Sequence, residues 1–144
     1  MGNKVLKVME RFGAFDCSQA ILAAWCEDFG LDVKTALKLS CGLAVGMARL
    51  GNTCGTVSGA YLVIGLKYGK CQPEDAAAKE KTFALIQEFD RRFIEKHGST
   101  NCKELMGVDM RYGDMEIAKK QVQQKCPVLV RDAAEILEDI LQGE

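Results

Sequence analysis

Apolar residues recur at three- and four-residue spacings in one segment after another of this chain, and residues that cap helices stand in front of most of those segments. That pattern folds as packed helices. Asp16 precedes Cys17-Ser18-Gln19, a box in which the Asp side chain accepts from orphan amides and Gln19 reaches back, opening a helix to about residue 29. A second helix follows Asp32, with Leu37, Cys41, Ala44 and Ala48 on one stripe, and a third follows Asn52-Thr53 over 54–68. Gly51 and Gly69 end them. The longest helix opens after Pro73-Glu74-Asp75, sets Phe83, Ile86, Phe89 and Phe93 on one face, and ends at Lys96-His97-Gly98 with basic residues at its negative pole. Ser99-Thr100-Asn101 caps a short turn over 102–106, and a polar helix covers 114–124. The last helix begins at Pro127, where a missing amide costs nothing, and carries Val130, Ala133, Leu137 and Ile140 as a core stripe. Tyr61-Leu62-Val63-Ile64 has enough β-branched character for a strand, but no hairpin turn accompanies it. The expected fold is all-α, a single compact bundle of six or seven helices with short loops, one domain over 1–144.

At 144 residues and 48% apolar content, such a bundle needs no covalent staples; it buries roughly 68–70% of its unfolded surface. Lys plus Arg is 19 and Asp plus Glu is 20, a net charge of −1, which gives no basic stripe for nucleic acid. The longest mainly apolar run, 54–66, carries Gly55, Ser58 and Gly59 and ends at Lys67. It is shorter than the ~18–20 residues of a bilayer crossing, so no membrane span is expected. The opening residues mix charge into their apolar positions, unlike a secretory signal, and position 6 lacks the Ser or Thr of a myristoylation site. A reduced, cytoplasmic protein is the expectation.

Against that background stand seven cysteines, at 17, 26, 41, 54, 71, 102 and 126, beside a single histidine. The count is odd, which argues against a disulfide scaffold. Cys26, in line with Leu22 and Phe29, and Cys41, in line with Leu37, Ala44 and Ala48, lie mid-helix and read as core residues. Cys71 sits in a loop with no role assigned. Cys17, Cys54, Cys102 and Cys126 each fall at or beside an expected helix start, marked by Asp16, Thr53, Asn101 and Pro127. A helix N-terminus lowers a thiol pKa and favours the thiolate that binds metal or attacks a disulfide. The gaps are 37, 48 and 24 with no C-x-x-C pair, so a zinc finger or a ferredoxin-type run is disfavoured and any cluster must be assembled by the tertiary fold. Four helix poles would offset the negative charge of a cysteine-ligated cluster.

Glycine is concentrated around Cys54, at 42, 46, 51, 55, 59, 65 and 69. Gly42, Gly46 and Gly59 read as close helix approaches. Gly55, directly after Cys54, lets backbone approach a sulfur or cluster, so Gly55 and Gly59 are assigned to the site as the glycines that would contact a cofactor. No phosphate loop is present, since no strand precedes this glycine run and no Lys-Ser/Thr follows it. His97 reads as a charge complement to its helix end and Arg49 as a solvated helix end. Asp109 and Asp114 lie in polar stretches without a paired-carboxylate pattern, and no catalytic set is assigned.

Cys17 in Cys-Ser-Gln-Ala-Ile-Leu, Cys54-Gly55-Thr56-Val57-Ser58-Gly59, Cys102 in Asn-Cys-Lys-Glu-Leu and Cys126 in Cys-Pro-Val-Leu-Val together resemble a family of redox-active proteins named for a C…CGAxxG…C…C signature (C_GCAxxG_C_C). The likeness runs from Phe15 to Leu137, with Thr56 standing where the signature has Ala. It implies a redox role, cytoplasmic or membrane-associated, in mostly anaerobic bacteria and archaea. Its best-understood relatives are cytochromes in which a similar helical domain carries an iron–sulfur centre. No C-x-x-C-H haem site occurs here, so the expectation is an iron–sulfur cluster without haem, on the same four cysteines.

The favoured function is therefore a small protein for electron transfer or redox sensing, with an iron–sulfur cluster, two-iron favoured, held by Cys17, Cys54, Cys102 and Cys126. The alternatives are a metal-free thiol/disulfide switch on the same four residues, or a helical interaction module with a structural zinc. A redox partner protein is expected, and a homodimer is compatible with this reading.

Overall fold

A computed structural model describes residues 2–143. Seven helices follow one another: α1 (Asn3–Arg11), α2 (Cys17–Trp25), α3 (Val33–Cys41), α4 (Gly55–Tyr68), α5 (Ala76–His97), α6 (Cys102–Met106) and α7 (Met115–Gln142). The described residues form no strand, only two isolated bridges, and 61–64 lies inside α4. No helix among them is long and apolar enough to cross a membrane.

Two helices form the centre. α2 is buried nearly all round, from Ser18 to Trp25 apart from Gln19, and α4 is buried along Gly55–Ala60 and again at Val63 and Ile64. Helices without a polar face belong in a core. They approach closely at Gly59, where a Cβ would stand 3.0 Å from Ser18 O and 3.2 Å from Ile21 Cβ. Ser18 Oγ donates to Ser40 O at 2.8 Å and Gln19 Nε2 to Leu37 O at 3.1 Å, which ties α3 to the same pair. The Asp16–Gln19 capping box forms as its residues suggest, with Asp16 N donating to Gln19 Oε1 at 3.1 Å. A 3-10 turn over Cys26–Phe29 extends α2 to Gly30, whose φ of +86° stops it.

α5 packs against α4 and α7, and α7 packs against both helices of the central pair. Phe89 and Phe93 of α5 stack with ring centroids 6.0 Å apart and are fully buried, whereas Phe83 turns outward, 49% exposed, and is not part of the core stripe. α1, unassigned in the sequence reading, buries Val5 and Val8 between α2 and α7 and keeps Lys4, Glu10 and Arg11 off the core. Lys4 Nζ fixes it, donating to Ala24 O at 3.0 Å and pairing with Asp28 Oδ2 at 2.6 Å.

Two expectations about helix ends are corrected. The second helix stops at Cys41 instead of running to Ala48, and Val45, Gly46, Met47, Ala48 and Arg49 all take positive φ, between +55° and +67°. This is a left-handed turn, which costs L-residues about 1–2 kcal/mol each. Cys41 is consequently exposed and not a core residue, and Gly42 has open space around it instead of a packed helix. At the other end, α7 runs unbroken through Pro127. An interior proline costs roughly 3 kcal/mol. The C-terminal half offsets it by burying Leu129, Val130, Ala133, Ala134, Ile136, Leu137, Ile140 and Leu141. Cys126 is therefore mid-helix, not at a helix start.

Candidate metal centre

Cys17, Cys54, Cys102 and Cys126 line one recessed cavity of about 60 Å³. Each reaches it from a different helix. Cys17 and Cys102 are the first residues of α2 and α6, Cys54 is the N-cap of α4, and Cys126 comes from the side of α7. The other three cysteines lie elsewhere: Cys26 is buried, with its thiol 3.6 Å from Ala23 O, and Cys41 and Cys71 are exposed. His97 is also outside the cavity, with Nε2 3.0 Å from Asp132 Oδ2 and its ring 4.8 Å from that of Phe93.

Backbone pairing puts Cys54 beside Cys102. Cys54 N donates to Thr100 O and Cys102 N to Asn52 O, both at 2.7 Å, across an antiparallel bridge between Thr53 and Asn101. Asn101 serves twice, capping α6 through Glu104 N at 2.9 Å and donating its Nδ2 to Gly51 O at 2.8 Å. The left-handed turn locks onto this clamp. Asn52 N donates to Gly46 O at 3.0 Å, and a Cβ on Gly46 would stand 2.6 Å from the Cβ of Cys102.

Gly55 lines the cavity next to Cys54. A Cβ there would lie 2.4 Å from Cys17 Sγ and 3.2 Å from Leu43 O, so only glycine lets the Cys17 sulfur rest against α4. Gly59, one turn on, makes the α2–α4 contact and does not line the cavity. The remaining walls are mostly apolar, with Val45, Met106, Met110, Val122 and Leu129 among them and Asp16 as the sole charged side chain. Cys126 Sγ approaches Met106 Sδ at 3.9 Å. Thr56 Oγ1 stands 3.2 Å from Cys54 Sγ.

The electrostatics correct the expectation of four ready thiolates. Burial, and after it the neighbouring Cys54, push the Cys17 thiol up to about 12. The same two causes take Cys102 to about 11. Cys126 rises to about 12, again through burial first and then through Cys17, Cys54 and Cys102. Burial also raises Cys54, against the Thr56 hydroxyl and the amides of Thr56 and Val57. Desolvation outweighs the helix poles, so the metal-free site holds neutral thiols at pH 7. Such thiols are poor nucleophiles, while a thiophilic metal replaces the proton outright.

The donor set is all sulfur, and Gly46 and Gly55 leave space where a Cβ would intrude, so the residues suit a soft, sulfur-preferring metal group. Among the described residues, no three Cys, His, Asp or Glu side chains converge as ligands of a single ion. On one tetrahedral zinc, thiolates would stand about 3.8 Å apart, from Zn–S of about 2.3 Å.

Sequence reasoning passed over Val45, Met106 and Met110. Met106 carried a signal, since it lies four residues after Cys102 and thus on the same face of α6. Val45 carried none, because its place depends on the left-handed turn.

A family model described as "Putative redox-active protein (C_GCAxxG_C_C)" matches residues 15–140. No curated protein and no solved structure matches the chain.

Proposed function

The chain belongs to the C_GCAxxG_C_C family of redox-active proteins, and from that premise we propose that it is a small redox protein that holds an iron–sulfur cluster on Cys17, Cys54, Cys102 and Cys126. The observation that carries this reading is the meeting of those four cysteines, from four helices, in one cavity with mostly apolar walls. Cysteine tetrads are the usual ligand set of such clusters, and we favour the two-iron form.

Bound there, a cluster would accept and release one electron. The chain's own part is to bind and to tune. The four thiols give up their protons to become ligands. Amides at the starts of α2 and α4 face the sulfurs, that of Ser18 toward Cys17 and those of Thr56 and Val57 toward Cys54, and would meet the negative charge there. Leu129, Val122 and Met106 limit water. A metal-free thiol switch is less favoured, because exchange needs a thiolate and burial holds these thiols protonated.

The deciding experiment is anaerobic reconstitution with ferrous iron and sulfide, followed by visible spectroscopy and iron and sulfide analysis. A coloured protein with two irons and two sulfides per chain, lost on changing the four cysteines to serine, is expected. A protein that stays colourless and iron-free overturns the reading, and one zinc per chain on the same thiols selects a structural zinc instead.

A further inference from the structure

Among the described residues, the Thr56 hydroxyl has the Cys54 sulfur as its hydrogen-bond partner. Thr56 is 1% exposed, and Cys54 Sγ stands 3.2 Å from its hydroxyl. A buried hydroxyl without a partner is costly, which holds it in this contact. Between a thiol and a hydroxyl either atom donates. Once Cys54 has lost its proton to become a ligand, only Thr56 has one to give. The hydroxyl then joins the amides of Thr56 and Val57, which face the same sulfur at the start of α4. Cys126 differs: its sulfur meets the Met106 thioether, which has no proton to donate.

We infer that Thr56 is a positioning residue that raises the reduction potential of the site by donating a hydrogen bond to the Cys54 sulfur. This rests on the cluster reading given above. Reduction brings one electron from an external reductant, breaks no bond and moves no proton, and part of the added negative charge resides on the cysteine sulfurs. A donor aimed at one of them stabilises the reduced form more than the oxidised form.

The experiment is a dithionite redox titration of the anaerobically reconstituted protein, followed by visible absorption, on wild type, Thr56→Val and Thr56→Ser. Valine keeps the shape and removes the donor, whereas serine keeps the donor. Thr56→Val is expected to lower the reduction equilibrium constant about tenfold, a shift of about 59 mV to more negative potential for one electron. Thr56→Ser is expected to stay close to wild type, with the same iron content in all three. Equal potentials in wild type and Thr56→Val overturn the inference and leave the cluster reading standing. A Thr56→Ser protein as shifted as Thr56→Val also overturns it, because shape and not donation would then be responsible. A wild-type protein that takes up no cluster overturns the cluster reading, and the inference falls with it. If Thr56→Val fails to fold by circular dichroism, Thr56→Ala replaces it with the same expected shift.

Discussion

Cys54 and Cys102 face one cavity because their backbones are held by the same antiparallel bridge, with each amide donating across it at 2.7 Å. The two residues are far apart in sequence, and two hydrogen bonds of the main chain set their relative position before side-chain packing is considered. Cys17 depends instead on the close approach of α2 to α4, and Cys126 on the course of α7 past the proline. The tetrad thus combines one backbone clamp with two packing contacts, and these respond differently to substitution.

Gly55→Ala should separate the site from the fold. Its Cβ would meet Cys17 Sγ at 2.4 Å, so the sulfur has to leave the cavity or α2 has to move. Overpacking of this kind costs about 1–3 kcal/mol. Urea denaturation should report that loss, and iron content after reconstitution should fall well below that of wild type. Gly42→Ala is the control, since a Cβ there meets nothing within 4 Å and φ is −72°. It should gain about 0.4–1 kcal/mol, because the unfolded chain loses freedom. Equal effects of the two substitutions would remove the steric argument.

The left-handed turn should be improved by glycine where its side chains are free. Ala48 has φ of +55° and is exposed. Removing its Cβ relieves about 1–2 kcal/mol of left-handed strain against about 0.5–1 kcal/mol of added unfolded-chain entropy. Ala48→Gly should therefore raise the urea midpoint by an amount equivalent to about 0.5–1 kcal/mol, with an unchanged slope. A lower midpoint would mean that tertiary contacts, not local strain, dominate at this residue.

How far the sequence discloses this architecture follows from the range of the interactions involved. The Asp16, Asp32, Asp75, Asn101 and Asp114 caps act over two or three residues, and all five stand at the helix starts where local pattern places them. Pro127 misleads because its usual preference for a first helical turn is a local rule, and the burial of Leu129 through Leu141 overrides it from a distance. Nothing local marks Val45 and Met47 for positive φ, since β-branched and long side chains avoid it. The four site cysteines are legible as a set through their motifs, but the cavity where they meet depends on the Thr53–Asn101 bridge, which is non-local.

The metal-free protein should lose stability in alkali. Cys17, Cys102 and Cys126 have folded values of about 12, 11 and 12 against 9.0 for the free thiol. Raised acids bind more protons folded than unfolded, so their contribution is complete below pH 9 and is lost as pH rises from there through the folded values. Urea midpoints of the metal-free protein should decline from pH 9 upward, and less steeply in Cys17→Ser or Cys126→Ser. A flat profile from pH 9 to 11 would contradict the assignment of these thiols to a desolvated cavity.

Exposure predicts which thiols react first. Cys41 and Cys71 are exposed, whereas Cys26, Cys54 and Cys102 are buried and Cys17 and Cys126 face the cavity. With iodoacetamide at pH 8 and mass-spectrometric readout, Cys41 and Cys71 should be labelled fastest, and metal loading should slow the tetrad while leaving those two unchanged. Rapid labelling of Cys126 in the metal-free protein would show that α7 opens away from the site.

Proton release on metal uptake brings the electrostatics and the ligand set to one measurement. Neutral thiols must lose their protons to become ligands, so each cysteine engaged at pH 7 liberates about one. Cadmium, a soft dication, is a suitable probe in anaerobic, weakly buffered solution with a pH indicator. About one proton per cysteine engaged by the cadmium is expected from wild type and fewer from Cys126→Ser, with affinity rising as pH rises. Were the helix poles to dominate over burial, the thiols would already be ionised and release would be near zero. The proton count therefore decides which of two opposing effects governs the cavity, and it does so without requiring that a cluster be assembled.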